Sequence, residues 1–143
     1  VDYLVREMPQ LLFIHLPDID TVGHASGWFS PEQLEAISQV DQAIGLLLEA
    51  LRREGLWETT PIIVTSDHGG HDRVHGSDDP RDTTIPWMIH GPGVREGMEL
   101  QGPIRVFDTA PTALWALGIR PPEEWDGRPV LEAFAPEPLC ARS

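Results

Sequence analysis

The sequence predicts an α/β fold in which helices flank a mostly parallel sheet, and three observations predict it. Two short runs, Leu11 to Leu16 and Pro61 to Thr65, have the length and the apolar or β-branched composition of buried strands. Between them lies a long segment with helical periodicity and a signal at each end, giving the order strand, helix, strand, which a crossover normally makes parallel. Each run is followed at once by a polar cluster holding Asp, Gly and His, and the carboxyl edge of an open α/β sheet is where ligands bind.

Along the chain, Val1, Leu4, Val5 and Met8 recur at helical spacing and predict a helix over residues 1–8 that began upstream. The first residue is Val rather than Met, and residues 1–143 read as entering partway into a domain. The strand at Leu11 to Leu16 runs into Pro17 and a polar loop with Asp18, Asp20 and His24. Ser30-Pro31-Glu32-Gln33 is a helix start, with Ser30 as N-cap, Pro31 at the first helical position and Gln33 placed to complete a capping box. Leu34, Ile37, Val40, Ile44, Leu47, Leu48 and Leu51 then form one apolar stripe, Arg52 and Arg53 suit the negative end of the dipole, and Gly55 suits the end. The helix is placed at residues 31–54.

Pro61 to Thr65 is the second strand, Ile85 to His90 a third, stopped by Gly91-Pro92-Gly93, and Ile104 to Phe107 a fourth. Asp108 or Thr109 caps a short helix through Leu117, which Gly118 ends, and from Pro121 the chain reads as irregular. There is no internal repeat or low-complexity tract. A length of 143 residues with 41% hydrophobic and 23% charged residues suits one domain with a core.

Composition excludes some functions. The net charge of −13, with ten Arg and no Lys, argues against a grip on a nucleic-acid polymer. No apolar run approaches the roughly 20 residues of a membrane helix, and residues 1–30 lack a signal-peptide pattern. Cys140 is the sole cysteine, so neither an internal disulfide nor a cysteine-rich metal site is available.

The chemistry concentrates in Thr65 to Asp78, T-S-D-H-G-G-H-D-R-V-H-G-S-D, where His68, His71 and His75 stand with Asp67, Asp72 and Asp78. Imidazole and carboxylate are ligands for borderline and hard divalent cations, and glycines let a backbone turn tightly enough to aim them. One such histidine alone would read as solvated loop. The second cluster, Asp20-Thr21-Val22-Gly23-His24, repeats the carboxylate, Gly and His, and two clusters on one sheet edge point to a shared metal site. Because Asp67 and His68 are adjacent, their side chains point to two centres or a bridged pair, and a two-metal centre suits displacement at phosphorus. A helix–loop–helix calcium site starting at Asp18 fails, since its fifth and twelfth positions are Val22 and Phe29.

These motifs resemble the alkaline phosphatase superfamily, most closely its type I phosphodiesterase/nucleotide pyrophosphatase branch. Asp20-Thr21-Val22-Gly23-His24 is similar to the family's D-x-x-G-H, and Ser66-Asp67-His68-Gly69 to its S-D-H-G. His75-Gly76, Ile85-Pro86-Trp87 before Gly91-Pro92-Gly93, and Asp108-Thr109-Ala110-Pro111-Thr112 follow in the family's order. The resemblance implies an alkaline phosphatase-like fold of which this is the C-terminal portion. It implies two divalent metals, zinc by preference, with Asp20, His24 and His75 on one and Asp67 and His68 on the other. It also implies a small-molecule phosphate ester as substrate and a Thr or Ser nucleophile upstream, in the missing N-terminal half. His15 stands where true alkaline phosphatases carry a magnesium-binding Glu, so no third site is expected and the diesterase branch is favoured.

Other readings fit the same residues. Sulfatases and cofactor-independent phosphoglycerate mutases share the fold, and a non-catalytic, metal-stabilised domain is a different class of answer. Asp18 is a partner to a ligand His or a solvated carboxylate, His71 supports rather than ligates, and Arg73 is a solvated loop residue or a fork for a substrate phosphate. His90 reads as structural, and Trp28, Trp87, Trp115 and Trp125 as packing.

Overall fold

Ser30 starts the longest element, α3 (Pro31–Arg53), by accepting the Gln33 N–H on its side-chain oxygen at 3.2 Å. Only half of the predicted capping box forms, because Gln33 Oε1 reaches past the cap to the Phe29 N–H at 2.7 Å. At the other end Gly55, at φ 72, gives its N–H to Arg52 and Leu56 gives its own to Leu51, a Schellman motif that satisfies two carbonyls. Leu51 is buried, Val40, Ile44, Leu47 and Leu48 are half-buried, and Leu34 and Ile37 are exposed, so the predicted stripe is covered toward its C-terminal end.

The computed structural model describes residues 1–135; residues 136–143, with Cys140, lie outside the described residues. Those described are α1 (Asp2–Glu7), α2 (Asp18–Ser26), α3, β1 (Ile62–Thr65), α4 (Pro80–Thr83), β2 (Trp87–His90) and α5 (Thr109–Ala116), with short 3-10 turns. They group into two compact units, residues 1–57 with 67–85, and residues 58–66 with the described residues from 86 onward. No helix among the described residues is long and apolar enough to cross a membrane.

In the first unit α2 packs on α3, with Leu4, Ala36, Ala50 and Leu51 buried. Two expectations are corrected here. Residues 11–16 form no strand, and Leu11, Phe13 and Ile14 are exposed, Phe13 at 86%. A strand is made by the neighbour that takes its backbone groups, and apolar composition alone does not create one. Asp18 to Ser26, predicted as loop, is helix: Pro17 precedes it, Asp18 and Asp20 lie in its first turn, and Thr21 Oγ1 donates to the Pro17 carbonyl at 3.0 Å.

In the second unit the sheet is α/β in kind but antiparallel, where a mostly parallel one is predicted. β1 pairs with β2 in the register Ile62 to His90 and Thr65 to Trp87. The connection between these strands holds only the four-residue α4, too short for the crossover helix that a parallel return requires. The expected fourth strand is instead a 3-10 turn, Val106–Asp108, closed by Asp108 Oδ2 accepting the Arg105 N–H at 2.8 Å. α5 ends on Gly118 with the same Schellman pair, to Trp115 and Leu114. Among the described residues past Pro121 the chain is irregular except for a 3-10 turn, Leu131–Ala133, and a bridge from Val94 to Phe134.

Candidate metal centre

α2 explains the spacing of its motif. Asp20 and His24 stand four residues apart, so they share one face of the helix, with Asp20 Oδ1 and His24 Nε2 3.4 Å apart. The loop after β1 brings His75 to the same place: its Nε2 lies 3.5 Å from Asp20 Oδ1 and 3.1 Å from His24 Nε2. His68 stacks on His75 with ring centroids 3.7 Å apart and brings its Nε2 within 3.8 Å of that same oxygen. Asp67, on the outer side, accepts the His68 N–H on Oδ1 at 3.1 Å, and its Oδ2 lies 3.7 Å from His68 Nε2.

Asp20 Oδ1 is the point on which three imidazole nitrogens converge, and it is buried with no hydrogen-bond partner. A buried, unpaired carboxylate oxygen is costly, and its orphaning needs a cause. A cation supplies one. Around a four-coordinate ion bound at about 2.0–2.1 Å, neighbouring ligand atoms lie about 3.3–3.4 Å apart. The three separations among Asp20, His24 and His75, 3.1, 3.4 and 3.5 Å, bracket that spacing. These three residues form a group whose ligand atoms all lie within 4.8 Å of one another, and one carboxylate with two imidazoles is a donor set that suits zinc.

The tautomers are set from behind. His24 Nδ1 lies 2.9 Å from the Arg73 carbonyl and His68 Nδ1 2.7 Å from the Gly69 carbonyl. A carbonyl only accepts, so each Nδ1 carries the proton and each Nε2 presents its lone pair inward. Arg73 thus serves the site through its backbone.

Trp28 packs against this centre. Its ring lies edge-on to His24 at 5.2 Å and to His75 at 5.9 Å, and the Trp28 backbone N–H donates to the Asp72 carbonyl at 2.7 Å. Two glycines make room for it: a Cβ on Gly70 would fall 2.1 Å from the indole, and one on Gly23 3.0 Å from it and 2.8 Å from Gln33 Nε2. Read as ordinary packing from sequence, Trp28 is packing around which the site is assembled. The signal for it was the pair Gly69-Gly70 together with a glycine inside α2.

His71 points elsewhere. Its Nδ1 lies 2.7 Å from Oδ1 of Asp82, a carboxylate only 3% exposed, whose Oδ2 accepts from Ser77 N at 3.0 Å and Ser77 Oγ at 2.7 Å. The Ser77 hydroxyl first, and His71 after it, outweigh burial and hold the Asp82 carboxyl down at about 2. Nearby, the Arg81 guanidinium and N–H hold the Asp79 carboxyl well below the usual carboxylate range. Asp82 was not singled out from sequence, because a lone Asp in a polar stretch carries no motif.

An α/β chain with a His and carboxylate cluster behind a strand defines a class of metal-binding domain, and comparison narrows it. The chain belongs to the type I phosphodiesterase/nucleotide pyrophosphatase family, whose model matches residues 1–81. It is 44% identical over 64 residues to an uncharacterized pyrophosphatase/phosphodiesterase of Schizosaccharomyces pombe, covering 45% of this chain and 13% of that protein. It is 35% identical over 91 residues to GPI ethanolamine phosphate transferase 1 of Gibberella zeae, covering 63% and 9%. It is 30% identical over 140 residues to the 2,3-bisphosphoglycerate-independent phosphoglycerate mutase of Staphylococcus epidermidis, covering 92% and 26%. The chain therefore spans about a quarter or less of the length of these relatives.

Proposed function

We propose that this chain is the metal-holding, C-terminal portion of a phosphodiesterase/nucleotide pyrophosphatase-like hydrolase that acts on small phosphate esters through two zinc ions. In this reading Asp20, His24 and His75 hold one ion, and Asp67 and His68 contribute to the other. The observation that carries it is the buried, unpartnered Asp20 Oδ1, faced by three Nε2 atoms at 3.4, 3.5 and 3.8 Å.

Bound zinc would polarise the phosphoryl oxygen and stabilise the attacking and leaving oxygens. The chain's own residues prepare for that. The carbonyls of Arg73 and Gly69 fix two imidazoles with their Nε2 lone pairs inward, Asp20 supplies negative charge, and the Trp28 ring packs edge-on against His24 and His75. The nucleophile, a Thr or Ser in this family, is assigned to a part of the protein outside these residues, in agreement with the greater length of the relatives. The remaining strands of a mostly parallel sheet are assigned there too. A charge of −13 favours a small ester over a nucleic-acid polymer.

Phosphoryl transfer to a second hydroxyl, as the name of the mutase relative suggests, is the alternative, and the match over 92% of this chain supports it. The test is to load the full-length protein with zinc, count the metal by elemental analysis, and follow bis-p-nitrophenyl phosphate with and without an alcohol acceptor. Hydrolysis by the full-length protein and none by the 143-residue chain is expected. Product carried on the alcohol would favour transfer, equal turnover by the two polypeptides would place the nucleophile within this chain, and a protein that binds no metal would overturn the reading.

A further inference from the structure

We infer that Asp82 is a positioning residue for this metal centre: through Ser77 and His71 its one carboxylate fixes both ends of the loop that aims His75 and His24. The inference rests on the proposed metal site and extends it to a residue outside the ligand set.

His75 is followed by Gly76, whose backbone sits at φ 93 with open space around its Cα. That joint is the most permissive the chain can make, so the backbone beside His75 does not by itself fix where the residue sits. Its position must be imposed from the flanks. On the downstream side Asp82 Oδ2 takes both the N–H and the hydroxyl of Ser77, two residues from His75. On the upstream side Asp82 Oδ1 takes His71 Nδ1, and His71 in turn exchanges two backbone hydrogen bonds with Val74, at 3.0 and 2.9 Å.

The turn so closed, His71 to Val74, is the one that presents the Arg73 carbonyl to His24 and the Asp72 carbonyl to Trp28. The same segment is gripped a third time. The Gly69 N–H donates to the Asp82 carbonyl and the Gly70 N–H to the Arg81 carbonyl, each at 2.7 Å. The approach is so close that a Cβ on Gly69 would lie 2.1 Å from the Arg81 oxygen. Side chain and backbone of one turn of α4 thus hold residues 69 to 77, and a carboxylate buried to 3% exposure with each oxygen satisfied is rigid enough to do so.

The test uses the full-length protein. Zinc affinity is measured by competition with a chromogenic chelator, and ligand geometry by the visible spectrum of the cobalt-loaded protein. Asp82→Ala is expected to weaken zinc about 10–100-fold, the range for loss of an outer partner, and to shift the cobalt bands. Asp82→Asn keeps the shape and one accepting oxygen and falls between. Ser77→Ala weakens zinc in the same direction, and Ser77→Thr, which restores the hydroxyl, recovers most of the loss. The serine pair carries the test if Asp82→Ala does not fold. Wild-type affinity and an unshifted cobalt spectrum in Asp82→Asn and Ser77→Ala overturn the positioning role alone; a wild-type protein without zinc affinity overturns the metal site with it.

Discussion

Two clusters of this chain each set a carboxylate against imidazole, and they differ in what that carboxylate meets. Around Asp82 every oxygen meets a donor: His71 on one side, Ser77 twice on the other. Around Asp20 three imidazoles converge on an oxygen that none of them satisfies. Residue type alone would rank the two alike. The difference teaches that an acid-and-histidine cluster is recognised as a ligand site by what it leaves unmet, since a set of donors and acceptors that closes on itself has no need of an ion.

The largest expected effect breaks the symmetry between the clusters outright. Substituting His75→Ala or Asp20→Ala in the full-length protein removes a proposed ligand and should weaken metal binding by more than the ~100-fold at which loss of an outer partner ends. His71→Ala should weaken metal far less than either ligand substitution and no more than Asp82→Ala, because the Ser77 arm of Asp82 survives. Elemental analysis after dialysis reads both, and the reverse pattern would exchange the roles assigned to the two histidines.

Next in size is Gly70→Ala, whose new methyl would meet the Trp28 indole at 2.1 Å. Overpacking of this kind costs about 1–3 kcal/mol, so a lower thermal midpoint and weaker metal binding should appear together. Gly23→Ala should cost less, because its closest neighbour is the end of the flexible Gln33 side chain at 2.8 Å and the indole stands back at 3.0 Å. Equal midpoints for both variants and the wild type would show that Trp28 can move without loss.

The smallest effect concerns acid. The Asp82 carboxyl is held down at about 2 in the fold, below the ~3.9 of an unfolded Asp. A depressed pKa means stability that is fully present above about pH 4 and is lost as pH falls through about 2. Circular dichroism across that window should show a steeper loss for wild type than for Asp82→Asn, which has no proton to take up; parallel curves would contradict it.

What was legible in the sequence had local causes. α3 falls where Ser30, the apolar stripe and Gly55 put it, within a residue at its end, because cap, periodicity and Schellman glycine are written in adjacent positions. β1, and β2 from Trp87, follow from β-branched or aromatic runs bounded by breakers. Asp20, His24, His68 and His75 stood out by type within two clusters, and the family resemblance picked His75 over His71, but neither gave their distances, which depend on α2 being helix. The D-x-x-x-H spacing was itself a helical signal that the loop reading overlooked. Leu11 to Leu16 shows the opposite failure, since apolar composition predicts burial and only a neighbour provides it. The antiparallel sense of the sheet and the role of Asp82 depend on pairings between residues distant in sequence or devoid of motif, which no local pattern encodes.

Trp28, wedged between Gly23 and Gly70, also makes the centre visible to light. An indole within 5.2 and 5.9 Å of two imidazole rings is close enough for the charge and electronic state of those rings to alter its excited state. The chain has five tryptophans, and Trp28 alone among them is in ring contact with His24 and His75 in the described structure. Its emission is therefore a built-in optical gauge of that corner of the molecule, read as the difference between wild type and Trp28→Phe, with no dye attached and no substrate required.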